Sequence, residues 1–176
     1  TRTFEDRGPA RGAAAVLQRS DRELTTRDGL LASLVRFGFL TAREGERQRA
    51  GPAFKQLLRE CLAVTVRIDS SPTLWVAMER LPQFLSLWPK ATLGPFVSQG
   101  LKPAPDPDRD EALCRILAGR IRFKEHLGPG DLKRELGLSE ADASAALMRL
   151  ETEGLLDAKG EGEQRVWRER KALAVQ

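Results

Sequence analysis

One order of elements occurs twice in this chain of 176 residues, and it restricts the fold more than any other feature. The order is three short helices followed by a β-hairpin. In the first copy, Ser20 or Thr26 offers an N-cap, and Leu30, Leu31, Leu34, Val35 and Phe37 then recur at helical spacing until Gly38. Thr41 is a further N-cap and opens a polar stretch, residues 42–50. Gly51-Pro52 breaks it, and a proline suits the first turn of the next helix, residues 52–62, which sets Phe54, Leu57, Leu58 and Cys61 on one face. The period then drops from 3.6 to about two. Residues 63–68 read as a strand, 69–72 as a turn and 73–78 as the returning strand.

A short amphipathic helix, residues 79–88, trails the hairpin, with Pro82 in its first turn and Pro89 at its end. Pro103, Pro105 and Pro107 then mark a stiff linker over residues 101–108. The second copy follows: a helix over 111–123, a Gly128-Pro129-Gly130 turn, a helix over 131–136 closed by Gly137, and a third helix to Glu153. Ser139 caps the third helix, with Asp142 three residues on. Residues 155–158 and 165–167 make the second hairpin, and the tail from Arg168 could be helical. Residues 1–19 form a loose segment with a short helix over 13–19. The expected fold is mainly α with small β-hairpins (α+β). It comprises tandem winged-helix lobes at 20–100 and 109–176, packed against each other.

Composition narrows the function. Hydrophobic residues make up 41% and charged residues 31%, a globular mix. No apolar run approaches the roughly 18–20 residues of a membrane span, so no membrane partner is expected. Cys61 and Cys114 each sit in apolar, helix-periodic sequence and read as buried free thiols, which fits a cytoplasmic protein. Two cysteines and the single His126 make no zinc set, and no nucleophile–base pair stands out. No cofactor is expected for this chain.

Of 29 cations, 22 are arginine, the side chain that forks onto phosphate. Residues 1–60 carry 12 cations against 8 anions, whereas residues 106–176 carry 13 against 15. A phosphate-binding face therefore belongs in the first two thirds. There the candidates are Arg43, Arg47 and Arg49 on the second helix, Lys55 and Arg59 on the third, and Arg67 on the hairpin. The third helix of the second unit carries Glu140, Asp142, Glu151 and Glu153 against Arg149 and repels phosphate. It reads as a spacer or docking surface. Trp75 and Trp88 stand at core spacing.

Three segments in this order also resemble a known family. They are "LWVAMERLPQFLSLWP" at residues 74–89, "LAGRI" at 117–121, and "GPGDLKRELGLSEADASAALMRLETEGLLDAKG" with "VWRER". Together they resemble the region downstream of the motor domains in Lhr-type superfamily 2 DNA helicases, over roughly residues 25–171. The pattern departs at Arg168, where the family's "WCERR"-like segment has Cys, and at "DAKGEGEQ", which replaces a "RGRF" wing start. No Walker-type phosphate loop and no Asp-Glu-x-His box occurs. The resemblance implies a non-catalytic accessory fragment of a longer helicase, or a relative without the motor, with ATP and magnesium belonging to the motor. A start without Met fits a fragment. The expected partners are the motor domains of the same polypeptide and single-stranded or forked DNA, held weakly and without sequence preference. The rival functions are a stand-alone winged-helix DNA-binding regulator, a DNA glycosylase and a protein-interaction scaffold.

Overall fold

The computed structural model of the chain describes residues 23–94 and 108–170. The expected loose segment 1–19 with its helix, the Ser20 cap, the linker up to residue 107 and the tail beyond residue 170 lie outside them. Helix α1 (Arg27–Phe37) starts where the Thr26 hydroxyl accepts from the Gly29 amide and stops at Gly38, whose φ of 83° favours glycine. Strand β1 (Leu40–Thr41) follows, then α2 (Ala42–Arg47), α3 (Gly51–Arg59), β2 (Ala63–Arg67) and β3 (Leu74–Ala77). Thr41 and Glu44 cap α2 reciprocally, each side chain accepting from the other's amide, which holds this six-residue polar helix in place. A 3-10 turn (Met78–Arg80), α4 (Leu81–Leu87) and β4 (Thr92–Leu93) complete the first half.

The second half runs α5 (Arg109–Lys124), β5 (His126–Leu127), α6 (Pro129–Leu136), α7 (Glu140–Thr152), β6 (Leu156–Lys159) and β7 (Val166–Glu169). Asp108 caps α5, and the Ser139 hydroxyl accepts from the Asp142 amide at the start of α7. Both halves share one topology: helix, short strand, two helices, hairpin. The sheets are antiparallel, ordered β1-β3-β2-β4 and β5-β7-β6. The first and third strands of each unit are thus neighbours, and β4 adds an edge to the first sheet. The architecture is mixed α+β.

The halves share a core. On β3, Trp75 and Ala77 pack with α1 and α3 through Leu30, Leu34, Phe54 and Leu57. Leu74 and Val76, on the opposite face, join a larger cluster with Phe84 of α4 and Leu113, Ile116, Leu117 and Ile121 of α5. All four β3 residues are therefore buried, which explains the continuous apolar run "LWVA" where a half-exposed strand would alternate. Trp75 stacks on Phe54 with ring centroids 4.1 Å apart, and Gly45 of α2 lies directly against the indole.

Helices α1 and α5 cross where Gly119 lets their backbones meet: a Cβ there would stand 2.9 Å from the Phe37 carbonyl. The next residue, Arg120, is fully buried. Its Nη2 lies 2.7 and 2.9 Å from the two carboxylate oxygens of Glu44 on α2, and it also bonds Glu135 on α6. The guanidinium carbon sits 4.5 Å from the Phe39 ring centroid and 5.4 Å from that of Phe123. One buried cation thus joins the second helices of both halves.

Several local expectations change. Helix α3 ends at Arg59, and Cys61 takes a left-handed φ of 57° in the turn that follows, so its thiol is exposed and not part of the apolar face. Gly128-Pro129-Gly130 is a helix start: the Gly128 amide donates to the Asp131 carboxylate at 2.9 Å, and α6 opens at Pro129. Residues 79–88 split into the 3-10 turn and α4, and Arg168 lies in β7, not in a helical tail. Strands β1, β4 and β5, two residues each, have no counterpart in the sequence reading.

Candidate nucleic-acid interface

The six candidate cations are all exposed. Arg43 and Arg47 are four residues apart on α2 and so share one face, opposite Gly45, which packs on Trp75. Lys55 and Arg59 repeat that spacing on α3, opposite its buried Ala53, Phe54 and Leu57. Arg49 stands in the three-residue connection between the two helices, with φ 57°. Arg67 ends β2. Alternation places it on the sheet face of Ala63, the face covered by α1 and α3. The six residues come from α2, the turn, α3 and the hairpin of one helix-turn-helix unit.

Electrostatics separates this unit from its counterpart. Residues 42–67 hold these six cations and three acids, Glu44, Glu46 and Glu60. Glu44 is turned inward onto Arg120, and Glu60 accepts from Arg27 Nε at 2.5 Å. Among the described residues, none of the six cations has a carboxylate partner, and Glu46 is the one acid left facing solvent with them. In the second half most exposed arginines are engaged instead: Arg134 with Asp131, Arg149 with Glu153, Arg170 with Asp157 and Arg122 with Glu169, as is the partly exposed Arg165 with Glu151, while Arg168, Lys133 and Lys159 are exposed without a carboxylate partner among the described residues. Such exposed pairs add little stability, but each neutralises a cation that could otherwise meet a phosphate. The turn between α6 and α7 is also obstructed. A Cβ on Gly137 would stand 3.4 Å from the Ser71 hydroxyl, so the first hairpin's tip packs there.

Two of the three tryptophans are closed to base stacking by burial. Trp75 and Trp167 are buried, and the Trp167 indole N–H donates to Glu151 at 3.1 Å. Trp88 is half-buried against Phe84 and lines a cavity of about 290 Å³ between α4, α5 and α7. Cys114 also lines that cavity, and burial pushes its thiol above the ordinary range, which keeps it neutral. Among the described residues no group of three or more His, Cys, Asp or Glu side chains is placed to hold a metal ion. No described helix is long and apolar enough to cross a membrane.

The sequence reading located these cations but missed what sets them apart, because the bonds that withdraw Glu44 and Glu60 span 76 and 33 positions. Comparison with protein-family models, with curated proteins and with solved structures finds no match for this chain.

Proposed function

We propose that this chain is a non-catalytic accessory module of an Lhr-type ATP-dependent DNA helicase. It is built from two winged-helix lobes that brace the motor domains in the cytoplasm and hold DNA by its backbone. The shared strand order of the two halves supports the winged-helix reading. The quoted sequence segments support the family. The observation that carries DNA contact is the contrast in pairing: six exposed cations without carboxylate partners among the described residues on the first lobe, against most exposed arginines engaged in ion pairs on the second.

Arg43, Arg47, Arg49, Lys55, Arg59 and Arg67 then supply phosphate contacts. These position a strand without reading its bases. The second lobe, with its acidic α7, serves as the brace. Fluorescence anisotropy of labelled single-stranded and forked oligonucleotides with the chain tests the proposal. Binding with a Kd of about 10⁻⁴–10⁻⁶ M and no sequence preference is expected, log K falling against log salt by roughly 0.7 per single-strand phosphate contacted. Absence of binding at low salt would leave the scaffold reading in its place.

A further inference from the structure

We propose that the outer face of α7 is a docking surface for a basic amphipathic helix of a partner protein. Ala143, Leu147 and Leu150 anchor α7 to the core. On the far side Ala141, Ala145, Met148 and Thr152 are all exposed, at successive spacings of four, three and four. That alternation is the seam of one helix against another. Met148 and Leu155 are each 50% exposed and are the large exposed hydrophobics among the described residues. Leu155 lies two residues past the Glu153 C-cap, in the connection from α7 to β6. At Ala145 the seam meets the cavity whose apolar wall is Leu87, Trp88, Leu113 and Leu138 and whose charged margin is Arg109, Asp110, Asp142 and Arg149; the apolar wall accepts one apolar side chain of the incoming helix. Alanines at the N-terminal half let the two backbones approach, and Met148 adapts to what it meets.

Charge selects the occupant. Glu140 and Asp142 lie beside the seam with no ion-pair partner among the described residues, whereas Glu151 is bonded to Arg165 and Glu153 to Arg149, each at 3.2 Å. Nucleic acid is repelled there. A second copy packed antiparallel would bring acidic rims together. A helix with apolar a and d positions and cations beside them satisfies both the seam and its rim. This surface lies in the second lobe and does not depend on DNA contact by the first.

The test uses the whole chain and two fluorescein-labelled helical peptides of about three heptads. Both have Leu at a and d; one has Lys at e and g, the other Glu. The Lys peptide is expected to bind and to shift backbone amide resonances of residues 141–155, while the Glu peptide does not bind. Met148→Glu, an exposed substitution, should weaken binding at least about tenfold, in the range of a central anchor. Glu140→Lys with Asp142→Lys should move the preference toward the Glu peptide. Lys55→Ala with Arg59→Ala should change nothing, which separates this surface from the proposed DNA face. Equal binding of both peptides, no binding, or indifference to Met148→Glu overturns the proposal. So does concentration-dependent self-association that Met148→Glu abolishes, because the occupant is then a second copy.

Discussion

Removing the buried cation between the halves should be the most damaging single change. Arg120→Ala leaves Glu135 and Glu44 facing each other with their shared partner gone, and empties the space between the Phe39 and Phe123 rings. Lys124 Nζ, 3.3 Å from Glu135, remains but sits at the margin, with 29% of its side chain exposed. Breaking a buried pair by deleting one partner costs about 3–5 kcal/mol, because the other charge stays behind unpaired. Against a total stability of about 5–15 kcal/mol, that is a large share. For a chain of this size each kcal/mol moves Tm by about 2–4 °C, so a fall of about 6–20 °C is expected by calorimetry. Removing the charges together should recover much of it. Arg120→Met with Glu44→Gln and Glu135→Gln leaves no buried ion, and a glutamine at position 44 can still accept from the Thr41 amide. A loss below about 1 kcal/mol for Arg120→Ala, or a triple variant no more stable than the single one, would refute the role assigned to this residue.

Close packing and burial give further expectations. Gly45→Ala puts a Cβ 2.0 Å from the Trp75 ring, which Phe54 holds in place, so overpacking should cost about 1–3 kcal/mol in a urea titration; a neutral result would contradict the packing. Gly119→Ala meets backbone, not a yielding side chain, and should destabilise by a similar ~1–3 kcal/mol, measured the same way. A thiol reagent at neutral pH should label exposed Cys61 much faster than Cys114, which is buried on a cavity wall with its thiol held neutral; equal rates would place Cys114 at the surface. Because burial raises the Cys114 pKa, the unfolded chain loses that proton first. The stability of the native chain relative to Cys114→Ala should therefore decline as pH rises past the ordinary thiol value of about 8.5, and urea midpoints at neutral and alkaline pH should register it. A difference constant with pH would contradict it.

The parts of this fold that were legible in the sequence are those decided locally. Thr26, Thr41 and Ser139 cap helices through bonds spanning three residues, and Gly38 and Gly137 end helices where a positive φ is needed. Both hairpins follow from the change of period. What escaped was decided at long range. Strands β1 and β5 exist because β3 and β7 offer them partners, and two residues carry no periodicity of their own. Cys61 was misplaced by extending the period of α3 one turn too far. At the candidate site the cations were readable. Their freedom from carboxylates among the described residues was not, since it depends on Arg120 drawing Glu44 inward across 76 positions. The seam on α7 was within reach: once Ala143, Ala146, Leu147 and Leu150 are assigned inward, the outward positions include Ala145 and Met148.

The central claim is that the first lobe, and not the second, holds the nucleic-acid backbone. A paired charge reversal tests it most directly. Lys55→Glu with Arg59→Glu and Arg134→Glu with Arg149→Glu are compared by anisotropy on a single-stranded oligonucleotide at low salt, all four positions being exposed. The first pair should weaken binding severely and reduce the slope of log K against log salt by about 1.4 in magnitude, two single-strand phosphate contacts fewer. The second pair, whose arginines already face Asp131 and Glu153, should leave both affinity and slope close to the native values. Equal effects of the two reversals would contradict the assignment of the DNA face to the first lobe.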